Sequence, residues 1–157
     1  MTTIGQVLIA ASVVAVGIVY GTDAFCAIVL RPALALVDDR TLVSTMGQVH
    51  DFGDRRLRLP GIAGIATALA GTVVIAWTGH LGATIAGALA VLALAIWLVI
   101  YVRISAPINA RLTSAAQHGE TPSDGRVLQQ RWDSVITARS GLQMLAILAL
   151  CVVLATS

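Results

Sequence analysis

His50, Asp54 and Arg58 follow one another at steps of four, a spacing that puts an imidazole, a carboxylate and a guanidinium on one helix face. An aspartate one turn from a histidine can orient the imidazole and raise its basicity, as a general base requires. Trp132, Ile136, Arg139 and Gln143 share a second face, at steps of four, three and four. An indole, a guanidinium and an amide turned the same way suit a flat, oxygen-bearing ring, with Trp stacking and Arg pairing a phenolate or carboxylate. Asp23 is the only acid inside an apolar segment, so it needs a partner. Arg103 and Arg139 are the candidates, with Asp23 and Arg103 the expected structural ion pair. Each set also has a plainer reading: solvated surface partners, interfacial anchors or a pair that fixes helix register.

Other chemistry is poorly served. His80 and His118 lie far from His50, which speaks against a metal site or a bis-His haem clamp. Cys26 and Cys151 form no Cys-x-x-Cys pair and read as small buried hydrophobes, so a disulfide oxidoreductase is disfavoured. The chain's single glutamate, Glu120, is outside the apolar segments, which argues against a small drug–proton antiporter. The Glu/Arg/Asn/His helix pattern of membrane glutathione transferases is not found either.

The elements that must position these groups are membrane helices. Of the 157 residues 57% are hydrophobic and 11% charged, with a mean hydropathy of +0.88, against roughly 25% charged in a soluble domain. Four apolar segments, 4–30, 60–78, 83–102 and 141–156, suit a hydrocarbon core of about 30 Å. The expected fold is all-α: a single domain, 1–157, built as a four-transmembrane-helix bundle. All ten basic residues are arginines, and they fall within 31–58 and 103–139, while 79–82 carries no formal charge. The expectation is a plasma-membrane protein with both termini outside and both arginine-rich connections cytoplasmic. With a net charge of only +2, these clusters read as topology signals, not a nucleic-acid surface. No basic stretch precedes the first apolar run, so that run is expected to remain as a helix and not as a cleaved signal.

Both long connections should be partly helical and amphipathic. Leu42, Met46, Val49, Gly53 and Leu57 make an apolar stripe bordered by His50. The second connection breaks at His118-Gly119 and restarts with Thr121 as N-cap and Pro122 at the first position, so the last helix should reach back to about 122. Ala63, Thr67 and Gly71, and likewise Gly82, Ala86 and Ala90, recur every four residues. Small residues at that spacing suit close helix packing, within one chain or in a homo-oligomer.

Arg31-Pro32, Pro107-x-Asn109-x-x-Leu112 and Trp132-x6-Arg139 together resemble the anthrone oxygenase-like family of small four-helix membrane proteins. The His50 region, with Asp54 and Pro60, is similar to that family's first cytoplasmic loop. The resemblance nominates His50, Asn109, Trp132 and Arg139 as family positions. It departs at Ile136, where relatives often carry His or Asn. It implies oxidation of an anthrone-like phenolic molecule by O2 without metal or flavin, because the deprotonated anthrone reduces O2 directly. His50 oriented by Asp54 would be the base and Arg139 the anion stabiliser, with Trp132, Asn109 and Gln143 positioning the ring at the cytoplasmic mouth. The expected partners are a hydrophobic or aromatic small molecule and membrane lipid. The alternative is a non-enzymatic membrane protein that binds a lipid or hydrophobic small molecule, or supports a partner protein.

Overall fold

The structure is a computed structural model, and it describes residues 3–156. Met1 and Thr2, which precede the first apolar run, lie outside the described residues, as does Ser157. The fold is all helical. In chain order come α1 (Thr3–Phe25), a π-helical turn (Cys26–Leu30), α2 (Arg31–Leu34), α3 (Asp39–Arg56) and α4 (Arg58–Ala76). They are followed by α5 (Leu81–Ile100), a second π-helical turn (Tyr101–Ser105), α6 (Ala106–His118) and α7 (Gly125–Ala155).

Two of the apolar segments prove longer than their hydropathy suggests. α1 runs without a break through its π turn into α2, and α5 does the same into α6, giving continuous helices Thr3–Leu34 and Leu81–His118. Pro32 and Pro107 explain both turns. Each is the second residue of the short or polar helix that follows, and neither has an N–H to donate back along the helix. One wider turn absorbs the missing hydrogen bond and keeps the helix going. With α4 and α7, these make four helices long and apolar enough to cross a membrane.

In the bundle α1 and α5 sit diagonally, each packed on both α4 and α7. The mid-bundle core joins Ile9, Val16, Ala68, Ile75, Ala90, Leu94, Ala146 and Leu150. The expected small-residue contacts form in part: Gly71 on α4 and Ala86 and Ala90 on α5 are buried, whereas Ala63 and Thr67 are half-buried and Gly82 is exposed. Gly64, Ala68 and Thr72 complete the buried stripe of α4. A Cβ on Gly64 would stand 2.8 Å from Val16 Cγ2 and one on Gly71 2.7 Å from Ile9 Cδ1, so glycine at both lets α1 and α4 meet closely. Ser12 Oγ locks the crossing by donating to the Gly64 carbonyl at 2.8 Å.

A second layer caps the arginine-bearing end. α3 lies on α6, burying Leu42, Val43 and Met46 with Ile108, Leu112, Trp132 and Ile136. Asp38 caps α3, its carboxylate accepting from the Thr41 amide at 2.9 Å and the Thr41 hydroxyl at 2.8 Å. Those two bonds hold the Asp38 carboxyl below the ordinary carboxylate range. α6 ends at Gly119, whose left-handed φ of 69° closes the helix as expected. α7 starts three residues later than Pro122, with Asp124 as its N-cap residue and no side-chain cap. Arg111 pairs with Asp124 at 2.9 Å and Gly125 presses on Val43, so the preceding turn is tied to α6 and α3 instead of joining the helix.

Candidate functional site

A cavity of about 410 Å3 lies where the bundle meets the cap layer. α1 supplies Asp23, α3 supplies His50 and Asp54, α5 supplies Trp97, α6 supplies Asn109, and α7 supplies Trp132 and Arg139. Both π turns reach it, through Cys26 and Tyr101. The second half of the α3 stripe, Val49, Gly53 and Leu57, forms part of its wall, so that apolar face borders the cavity as well as the core.

Its deepest polar feature is an ion pair. Arg139 Nη2 stands 2.9 Å from an Asp23 carboxylate oxygen, and each residue is only 4% exposed. The expected Asp23–Arg103 pair is not formed. Arg103 is exposed, because the π turn starting at Tyr101 directs Ser105 and not Arg103 inward. Ser105 Oγ then accepts from Arg139 Nη1 at 2.9 Å. Gln143, oriented so that both ends of its amide are satisfied, donates to Asp23 at 3.3 Å and accepts from Trp97 Nε1 at 2.8 Å. Gln143 is thus a support for the ion pair and does not line the cavity, contrary to its expected contact with a ligand.

Arg139 also sits among aromatic rings, its Cζ 6.0, 5.4 and 5.6 Å from the centroids of Trp97, Tyr101 and Trp132. Trp97 and Tyr101 are stacked 5.9 Å apart with 13° between their planes. Trp132, Ile136, Arg139 and Gln143 do share one buried face of α7.

The expected His50–Asp54 pair is also absent. Asp54 turns away, accepting from Tyr101 Oη at 2.7 Å and from Asn109 Nδ2 at 2.9 Å. Those donors on the neighbouring helix and π turn satisfy the carboxylate more fully than one imidazole would. His50 packs on Trp132 instead, ring centroids 5.2 Å apart. Burial pushes its imidazole down to about 4, and the Arg139 charge pushes the same way; Gln129 opposes them. The ring is therefore neutral at physiological pH, with its basicity lowered and not raised. Arg58, third in that series, is exposed at the cavity rim.

Four cavity-lining side chains keep a buried polar atom without a hydrogen-bond partner: His50 Nε2, Asn109 Oδ1, Trp132 Nε1 and Arg139 Nε. Leaving such a group unpaired costs roughly 1–3 kcal/mol. Two of the four, the indole and guanidinium nitrogens, are obligate donors. The arrangement can hold a largely apolar molecule and offer its oxygen atoms hydrogen bonds in surroundings of low polarity. Among the described residues, no group of three His, Cys, Asp or Glu stands together to hold a metal ion.

The structure thus gathers His50, Asp54, Asn109, Trp132, Arg139 and Asp23 at one cavity and leaves Arg103 outside. Sequence reasoning missed Trp97, Tyr101 and Ser105. Their signal was the same as that of the α7 residues, a polar or aromatic side chain every four residues at the end of an apolar segment. Comparison of the chain with protein-family models, with curated proteins and with solved structures returns no match.

Proposed function

We propose that this membrane protein binds a flat, lipophilic molecule carrying oxygen atoms in the cavity beneath α3. One observation carries the reading: four residues with an unpartnered buried polar atom, His50, Asn109, Trp132 and Arg139, line the same cavity as Trp97 and Tyr101. The volume falls within the range of small-molecule sites, roughly 300–1,000 Å3. A carbonyl or phenolate oxygen would take the Trp132 and Arg139 N–H groups, while the rings enclose the apolar faces. By the distribution of arginines, the cavity end faces the cytoplasm of the plasma membrane.

A second reading, oxidation of that molecule, follows from the sequence resemblance and from the state of His50. A neutral imidazole can accept a proton from the acidic CH2 of an anthrone, and the enolate beside it would raise the imidazole's proton affinity. The enolate passes electrons to O2. Overall an anthrone and O2 give an anthraquinone and water: two C–H bonds break, the carbon becomes a carbonyl, and O2 is the oxidant. Arg139 contributes less than a free cation would, since Asp23 already balances its charge.

Binding is tested by heating the detergent-purified protein with anthraquinone. A ligand at about 100 times its Kd should stabilise the fold by about 2.7 kcal/mol, and Trp132→Phe should reduce that gain. No stabilisation at any concentration up to solubility would contradict the binding reading. Anthrone-dependent O2 uptake that disappears in His50→Ala would support turnover; binding without uptake would leave a non-enzymatic carrier.

A further inference from the structure

We propose that ligands reach the cavity sideways from the bilayer, between α4 and α5, and not from water past the cap. This rests on the binding reading above. The cavity wall is graded along the membrane normal. Val19, Ile65 and Leu98 line its deep end, while His50, Asp54, Arg58 and Asn109 line the end beside α3 and α6. Two apolar residues of the wall also face outward: Ile62 of α4 is 62% exposed and Leu98 of α5 is 39% exposed. Both belong to membrane-spanning helices, so the medium they meet is hydrocarbon.

The seams that α1, α7 and the cap make are held by specific contacts. α1 and α4 are joined where Val16 covers Gly64 and Ser12 bonds its carbonyl. α1 and α7 are joined by the Asp23–Arg139 pair, with Tyr20 Oη on Met144 Sδ at 3.8 Å. Arg139 also bonds Ser105, which closes α7 against the chain leaving α5. On the cap side, Asp54 bonds Tyr101 and Asn109 and so ties α3 to the π turn and α6. α4 and α5 pack tightly at Thr72 and Gly87, where a Cβ on Gly87 would meet Thr72 at 2.5 Å. At the cavity end the contact relaxes to ordinary packing, with Trp97 of α5 the nearest neighbour of a Cβ on Gly61, at 3.9 Å. A lipophilic molecule dissolved in the bilayer would pass between Ile62 and Leu98 with its apolar part still in an apolar medium. Coming from water, it would have to leave the bilayer and carry its apolar part past the polar rim of Arg58 and Asp54.

The test joins the two lips of this opening. In a Cys26→Ala, Cys151→Ser background, Ile62→Cys and Leu98→Cys are linked in liposomes with bismaleimides of graded length. Quenching of tryptophan fluorescence by anthraquinone preloaded into the lipid is followed by rapid mixing. Linkage should slow saturable quenching at least tenfold relative to the unlinked double variant, and each single-cysteine protein should retain the unlinked rate. Equal rates in linked and unlinked protein would overturn lateral access while leaving binding intact. No saturable quenching in the unlinked protein would overturn lateral access and the binding reading together.

Discussion

Asp23 and Arg139 form a buried ion pair whose remaining hydrogen-bond capacity is partly filled by Ser105 and Gln143. Removing one partner leaves a charge in apolar surroundings, which typically costs about 3–5 kcal/mol. Asp23→Asn and Arg139→Gln should each lower stability by about that amount in detergent unfolding titrations, whereas Arg103→Ala should stay within about 0.5 kcal/mol. Equal effects of Arg103→Ala and Arg139→Gln would show that the pairing has been misassigned. His50 gives a pH signature. Its imidazole is held neutral, down to about 4 from 6.5, chiefly by burial and secondly by Arg139. The unfolded chain therefore binds the extra proton first as pH falls. Stability from this group is complete above pH 6.5 and drains away down to about pH 4, by about 3 kcal/mol in all. Unfolding midpoints measured across that window should fall for the wild type and fall less for His50→Phe. At this scale the sequence revealed which residues gather and misjudged who bonds whom. Helical spacing shows that His50 and Asp54 share a face, but Tyr101 and Asn109, which capture Asp54, arrive from elements 47 and 55 residues away.

The helices themselves follow from hydropathy, caps and prolines. α3 formed where the stripe from Leu42 to Leu57 required it, and Gly119 stopped α6. The two π turns were not legible, because proline reads as a helix end unless a wider turn can be accommodated, and only packing decides that. They shape the cavity: one presents Cys26 and the other Tyr101 to it. The cap depends on a close crossing of α3 and α6, where a Cβ on Gly47 would collide with the Leu112 carbonyl and with Ala116. Thr113 Oγ1 donates to the Gly47 carbonyl at 3.1 Å in the same crossing. Gly47→Ala should cost about 1–3 kcal/mol and loosen the roof of the cavity, measured as faster hydrogen exchange in α3. Gly53→Ala, with nothing within 4 Å of its Cβ position, should be neutral or slightly stabilising. Equal exchange in the two variants would mean the crossing does not hold the cap.

Over the whole molecule, an apolar belt surrounds the bundle, with Val14, Ile28, Leu69, Leu89, Leu92 and Leu148 among its outward residues. Such a surface suits lipid contact. The arginines and the cavity share one end, and His80 and the short α4–α5 turn lie at the other. With the arginine end cytoplasmic, Glu120→Cys should be labelled by an impermeant maleimide only in inverted vesicles and His80→Cys only in intact cells. The reverse pattern would invert the topology. The central claim, that the cavity receives a flat lipophilic ligand, is tested most directly by the tryptophans. Trp97 and Trp132 line the cavity, whereas Trp77 is 84% exposed at the far end. Titrating anthraquinone into detergent-purified protein should give saturable quenching that survives in Trp77→Phe and is largely lost in the Trp97→Phe, Trp132→Phe double variant. Quenching that is linear in ligand, or that follows Trp77 instead, would contradict the account.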